Sequence, residues 1–411
     1  MTSYLKLALK ILGRRKFFTF ISLFGISLTL VVLMVATAMM DNFFAPRAPE
    51  SRFDRVLLVW RVAKVGPRDR EQSDAGYAML DRFMRPLHDV ERTAIFSTPI
   101  GTAIYKDGHR IDTSMKRTDG GYWQILDFRF LEGRPITAQD DQSGALVAVI
   151  TDAMRDKLFG GGPAVGKTFS VDKQTFRVVG VVPRVSMTRY AAYSDVWVPI
   201  GSMPSSDYRR QMMGGFNGIV LAHSRADFPR LKREFQAGLR DFPLDRKLYN
   251  SVITGLDTPF EAVARLMTNN RLGDRAAVVL SLILATLATL FMALPALNLV
   301  TLNLSRILER ASEIGVRKAF GASRAALVAQ FVAENVILTL IGGVAGFALA
   351  VVVLHALTAS EVIPNAQFDV NVRIFAWGMV TAAFFGLFSG VYPAWRMSRL
   401  DAVSALRGGA Q

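Results

Sequence analysis

The sequence predicts a membrane protein with four transmembrane α-helices and a large extracytoplasmic mixed α/β domain between helices 1 and 2. Three observations carry that prediction. The chain is 51% hydrophobic over 411 residues, with mean hydropathy +0.27, a higher apolar share than soluble chains carry. The apolar residues gather in runs at 17–40, 276–304, 325–358 and 374–395, with ordinary globular composition over 41–275. Lys and Arg stand at alternate ends of those runs, as membrane topology requires.

Each run is long enough to cross a hydrocarbon core of about 30 Å as a helix. The first carries no charge from Phe17 to Met40. It is too long for the apolar region of a cleaved signal and shows no small-residue cleavage site, so it reads as a retained anchor. The second contains Pro295, which a membrane helix tolerates with a kink. The third includes Glu334 near its start, beside Gln330 and Asn335. An ionisable residue is costly in lipid, and this group reads as a polar contact at the inner interface.

Orientation follows from the short flanks. Lys6, Lys10, Arg14, Arg15 and Lys16 precede the first run. Arg306, Arg310, Arg317, Lys318 and Arg324 lie between the second and third. Arg396, Arg399 and Arg407 follow the fourth. Both termini and the 305–324 connection are therefore cytoplasmic, and 41–275 and the short loop 359–373 face outward. Residues 1–16 alternate apolar and basic positions from Tyr4 to Ile11, an amphipathic helix on the inner membrane surface; residues 396–411 form a cytoplasmic tail. The spacings Gly342-x-x-x-Gly346 and Gly386-x-x-x-Gly390 allow close helix approach within the bundle.

Composition also excludes chemistry. There is no cysteine, hence no disulfide, cysteine–metal site or thiol nucleophile. The formal charge of +15 fits a membrane surface. Nothing resembles a nucleic-acid module. His88, His109, His223 and His355 are scattered without ligand spacing, and no Ser/His/Asp arrangement stands out. The chain reads as non-catalytic, with no cofactor and no metal of its own.

Within 41–275, where two subdomains are expected, strands are predicted at Arg55 to Trp60, Gly144 to Ile150 and Ser194 to Pro199, and a hairpin at Thr168 to Val171 and Gln174 to Val182 around Asp172 and Lys173. Thr151 or Asp152 caps a helix through Phe159. Phe228, Leu231, Phe235 and Leu239 share one face of a helix over Ala226 to Arg240. Gly161 to Thr168 matches the phosphate-loop pattern G-x-x-x-x-G-K-[ST] letter for letter. That loop needs a strand before it and a helix after it; the opposite order is predicted here, and Pro163 removes one N–H. It reads as a helix-to-strand turn.

The 305–324 connection is charged and helical in pattern. Glu313 and Arg317 can pair at i,i+4, and Gly321 can end the helix. A linker would need only a few residues, so this one suits a docking role for a cytoplasmic partner as well as that of a solvated connector.

The run Glu313-Ile-Gly-Val-Arg-Lys-Ala-Phe-Gly-Ala-Ser323 resembles the signature that follows the second span in MacB-type permeases of ABC transporters, the FtsX-like superfamily. Tyr392 to Arg407 resembles that family's ending. Leu131 to Pro135, Val147 to Leu158, Gly166-Lys167, Val178 to Val182 and Val196 to Pro199 resemble its periplasmic core domain. The resemblance implies a multi-pass protein of the bacterial inner membrane, in contact with membrane lipid and with no nucleic-acid partner. It implies a cytoplasmic ABC ATPase dimer, carrying ATP and Mg, as a separate chain, and a second permease, identical or paralogous. ATP-driven closure would move a coupling helix made of Glu309, Arg310, Glu313, Gly315, Arg317, Lys318 and Gly321, and that movement would reach the outer domain. This mechanotransmission would drive export of a periplasmic substrate, with a periplasmic adaptor and an outer-membrane channel as further partners. The superfamily also offers lipoprotein release and regulation of a cell-wall hydrolase as alternatives.

Overall fold

In the computed structural model, residues 16–106, 108–309, 316, 320, 323–366, 368, 370–373, 375–380, 383–384 and 387 are described. The chain divides into two units. The outer unit is Asn42–Ser281 with Ile363–Ala366. The other is Met1–Asp41, Leu282–Val362 and Gln367–Gln411. Among the described residues, six helices have eight residues or more: α1 (Lys16–Phe44), α2 (Asp152–Phe159), α3 (Phe228–Gly238), α4 (Pro259–Met267), α5 (Ala276–Glu309) and α6 (Arg324–Ala359).

The outer unit is built on strands β1 (Val56–Val59), β2 (Arg61–Val65), β3 (Arg70–Ala75), β4 (Arg92–Ser97), β5 (Ile100–Lys106), β6 (His109–Thr118), β7 (Glu132–Gly133), β8 (Val147–Thr151), β9 (Thr168–Val171), β10 (Gln174–Val182), β11 (Val196–Pro199), β12 (Met213–Gly214), β13 (Phe216–Leu221) and β14 (Ser251–Ile253). They form one sheet with the order β11-β8-β10-β9-β5-β6-β4-β13-β3-β2-β14. Its first half closes on itself. β6 pairs parallel with β11, from Met115 opposite Val196 to Thr118 opposite Pro199, so six strands make a ring with no free edge along that path. The ring meets the second half at a single residue pair, Phe96 opposite Thr118. In the second half β13 lies antiparallel to β4 and to β1.

Side-chain alternation explains why the strand sequences are so continuously apolar. In β1, Val56 and Leu58 enter one core and Leu57 and Val59 another, and all four are at most 1% exposed. In β8, Val147 and Val149 share the first core while Ala148 and Ile150 fill the ring. β11 does likewise, with Trp197 on one side and Val196 and Val198 on the other. A strand covered on both faces has no place for a polar position. The predicted strands at Arg55–Trp60, Gly144–Ile150 and Ser194–Pro199 form with shifted ends, as Val56–Val59, Val147–Thr151 and Val196–Pro199. Gly144 turns with φ +65°. The Ser194 hydroxyl donates to the carbonyls of Ser114 and Val196, outside the ladder. The predicted hairpin turns at Asp172 and Lys173, both with positive φ, the geometry that matches strand twist. The predicted helix over Ala226–Arg240 is α over Phe228–Gly238 with a 3₁₀ turn at each end.

Among the described residues, three helices are long and apolar enough to cross a membrane, over Thr19–Phe44, Gly273–Phe291 and Val332–Ala359. α5 runs through Pro295 as helix. Gly342 and Gly346 of α6 do what their spacing predicts: a Cβ there would come 3.0 Å from Ile26 and Ser27 of α1, respectively. The Ser27 hydroxyl donates to the Gly342 carbonyl at 2.8 Å. Glu334 and Asn335 are buried. The fourth predicted span, 374–395, is described only in part, and the Gly386/Gly390 pair and the amphipathic segment Tyr4–Ile11 lie outside the described residues.

Candidate functional site

Of the seven predicted coupling residues, Glu309 is the last residue of α5. Arg310, Glu313, Gly315, Arg317, Lys318 and Gly321 lie outside the described residues. The phosphate-loop lookalike is a turn. α2 precedes it and β9 follows it. Three of its N–H groups are already used: Ala164 donates to the Glu132 carboxylate, Gly166 to the Val178 carbonyl and Lys167 to the Ala164 carbonyl. The Lys167 ammonium sits 5.2 Å from the Phe159 ring centre. Three donors spent internally leave no cradle for a phosphate.

Two buried ionic clasps, neither anticipated from sequence, hold the outer unit where the chain enters and leaves it. The first follows α1. Glu50, 1% exposed, accepts from the Ala192 N–H at 3.1 Å and pairs with Arg189 at 3.5 Å. Arg189 also donates to the Ala45 carbonyl at 2.6 Å, and the Thr188 hydroxyl bonds Asn42. Lys116 of β6 is fully buried and donates to the carbonyls of Tyr190 and Ala191 at 2.9 and 2.7 Å, with its ammonium 5.0 Å from the Phe96 ring centre. The Tyr122 hydroxyl donates to the same Ala191 carbonyl at 2.8 Å. Segment 186–192 is thus fastened on one side to residues 42–50 and on the other to the ring. Burial pushes the Glu50 carboxyl up to about 7, opposed by Arg189, and pulls the Lys116 ammonium down to about 7, opposed by Glu50.

The second clasp precedes α5. Arg265 of α4, 2% exposed, holds Asp257 with two bonds of 2.6 and 2.9 Å. It also reaches Asn270 at 3.1 Å and Asp274 at 2.7 Å. Asp257 exchanges backbone hydrogen bonds with Leu58 of β1. Asp274 lies in the 3₁₀ turn that leads directly into α5. One guanidinium therefore ties the segment bonded to β1 to the turn that leads into α5, and its planar fork suits several carboxylate partners at once.

A polar cleft of about 350 Å³ opens elsewhere in the outer unit, lined by Arg85, Arg92, Asp119, Asp141 and Arg209 among others. Its carboxylates are occupied. Asp119 accepts from the N–H groups of Ile95 and Tyr122 and from Arg85, with burial raising it to about 6. Asp141 accepts from the Gly201 N–H at 2.7 Å. Among the described residues no group of His, Asp or Glu could hold a metal ion. Nothing in these clusters offers a nucleophile paired with a base; what they provide is stiff attachment.

The comparisons place this architecture. The model of the MacB-like periplasmic core domain matches residues 19–237, and that of the FtsX-like permease C-terminal domain matches 285–402. The chain belongs to the MacB-like, FtsX-like permease family. This permease is 30% identical over 287 residues to the pyoverdine export ATP-binding/permease protein PvdT of Pseudomonas syringae pv. tomato, covering 69% of this chain and 41% of the relative. It is 27% identical over 277 residues to the macrolide export ATP-binding/permease protein MacB of Bdellovibrio bacteriovorus, covering 67% and 41%. It is 26% identical over 297 residues to the uncharacterized ABC transporter permease YvrN of Bacillus subtilis, covering 70% and 68%. The permease thus spans about two fifths of the length of the export proteins it matches. Among solved structures it is similar to a permease domain from Porphyromonas gingivalis (TM-score 0.42, 15% identity, 50% of this chain and 90% of that one). It is also similar to the periplasmic region of MacB from Actinobacillus actinomycetemcomitans (TM-score 0.36, 14% identity, 44% and 83%).

Proposed function

We propose that this chain is the transmembrane and outer-domain part of an ABC export system, converting ATP-driven movement at the cytoplasmic face into movement of the outer unit. ATP is hydrolysed by an ATP-binding subunit or domain outside these residues, two permeases assemble with it, and the 305–324 connection receives its motion. The observation that carries the reading is the order of the two family matches, 19–237 and then 285–402. The clasps support it, because a movement delivered through α1 or α5 is useful only if the outer unit is fastened firmly at both roots. Relatives named for pyoverdine and macrolide export favour export of a small organic molecule from the periplasm, through an adaptor and an outer-membrane channel. The fourth span, 374–395, and cytoplasmic termini belong to the same proposal.

The test is charge reversal in the connection, Glu313→Lys and Arg317→Glu, in the chain assembled with its ATPase. Transport should fall at least tenfold with membrane insertion intact, either because ATP turnover continues uncoupled or because the ATPase dissociates. Unaltered transport in both variants would remove the coupling role.

A further inference from the structure

The polar cleft of about 350 Å³ is of a size that takes a small molecule. It lies where the two halves of the sheet meet. β4 supplies Arg92 and Thr93, and the chain leaving β6 supplies Asp119, Gly120 and Gly121, next to the ladder pair Phe96–Thr118. The charges of its wall do not cancel. Three guanidiniums, Arg85, Arg92 and Arg209, stand against two carboxylates, Asp119 and Asp141. Both carboxylates are committed to the wall itself, Asp119 to two backbone N–H groups and Arg85, Asp141 to the Gly201 N–H. Arg92 and Arg209 are exposed, and neither forms an ion pair among the described residues. A further cation lies behind this wall. Arg117, 8% exposed, donates to the Ser202 hydroxyl at 2.9 Å and to the Gln174 side chain at 3.4 Å, and among the described residues it too forms no ion pair. Ser202 directly follows Gly201 of the lining. A guanidinium stays charged when buried, so the cleft carries a surplus of positive potential that its walls concentrate.

The lining also has hydrogen-bond donors to spare. Tyr77 and Tyr208 pack edge to face with ring centres 5.1 Å apart, and Tyr208 is 6% exposed. Among the described residues neither phenol bonds to a carboxylate or carbonyl oxygen. Guanidiniums bind carboxylates through a planar fork. The lining has one more guanidinium than carboxylates, so a single added carboxylate neutralises it. A dianionic phosphate would set excess negative charge against Asp119 and Asp141. We propose that the cleft binds a small polar molecule bearing one carboxylate, which pairs with Arg92 and Arg209 while the Tyr77 and Tyr208 hydroxyls donate to its body. This goes beyond the export reading and needs neither ATP nor a partner chain, so either can fail without the other.

The test uses the full chain in lipid nanodiscs at fixed ionic strength. Saturation-transfer NMR follows three acids, gluconate, shikimate and hippurate, each beside its primary amide. At least one acid should bind about tenfold more tightly than its amide, the worth of a charge-assisted hydrogen bond. Arg92→Gln and Arg209→Gln, both at exposed positions that the fold does not depend on, should each weaken that acid about fivefold. The double variant should hold acid and amide alike. Arg233→Gln, at an exposed position of α3 outside the cleft, should leave the preference intact. Tyr77→Phe should weaken acid and amide by the same factor. No acid preferred over its amide, or a preference that survives the double variant, would overturn the site. An equal loss in Arg233→Gln would reduce it to the attraction of any anion to a basic protein. Binding unchanged in Tyr77→Phe would take that hydroxyl out of the contact, and tighter binding of sorbitol 6-phosphate than of gluconate would overturn the carboxylate as the group recognised.

Discussion

At the scale of single residues, the outer unit keeps charges where water cannot reach them, and this makes its stability depend on pH in a definite sense. Glu50 titrates near 4.5 in an unfolded chain and is raised to about 7 in the fold by burial, against the pull of Arg189. Between those values the folded state holds a proton that the unfolded chain releases, so stability falls as pH rises. Asp119, raised from 3.8 to about 6 by burial, adds to the fall over its own window. Lys116 works in the opposite sense. Lowered from 10.5 to about 7, it leaves the unfolded chain holding the extra proton above pH 7, so stability recovers as pH climbs toward 10. The expected profile has a minimum near neutrality. Glu50→Gln should flatten the limb between pH 4.5 and 7, removing a slope worth about 3 kcal/mol in total. Thermal melts of the detergent-solubilised chain across that range, followed by tryptophan fluorescence, read it directly. An unchanged slope would mean that Glu50 is ionised in the fold.

At the scale of elements, α4 shows what the sequence contained and what it hid. Its start carries a local signal that the predicted elements do not include: Thr258, Pro259 and Glu261 form a capping box with proline at the first turn, and both reciprocal bonds form. The role of Arg265 has no such signal, because its partners Asp257, Asn270 and Asp274 come together only when the chain turns back onto β1. The same holds for Glu50 and Arg189, which are 139 positions apart. Strands followed a similar division. β8 and β11 could be read because both faces are covered and nearly every residue is apolar, and β10 because it alternates around Phe176 before its buried run Val178–Val182. β3, with the sequence Arg-Glu-Gln-Ser-Asp-Ala, has no such pattern and owes its form to pairing with β2 along five residues. Arg265→Met should cost about 3–5 kcal/mol, since it strands a buried carboxylate. Asp257→Asn combined with Arg265→Met should recover a large part of that, because the charge left behind is gone. Urea unfolding of the three proteins measures it. A double variant no better than the single one would show that α4 depends on the guanidinium for its other two partners.

At the scale of the whole molecule, the decisive quantity is the number of crossings. Three helices among the described residues are apolar and long enough, and an odd count would leave 396–411 on the opposite face from the residues preceding α1. Arg396, Arg399 and Arg407 argue for the same face, because short basic segments resist translocation. That requires 374–395 to cross as well. The absence of cysteine makes the experiment clean: every thiol is one that has been introduced. Lys173→Cys, in the turn between β9 and β10, should react with a membrane-impermeant maleimide in intact cells. Ser404→Cys should react only after the membrane is opened, and Thr2→Cys gives the reference for the inner face. Protection of both positions 2 and 404 fixes an even number of crossings. Reaction of position 404 in intact cells would put the tail outside, reduce the count to three, and detach the family's C-terminal segment from the face on which ATP is hydrolysed.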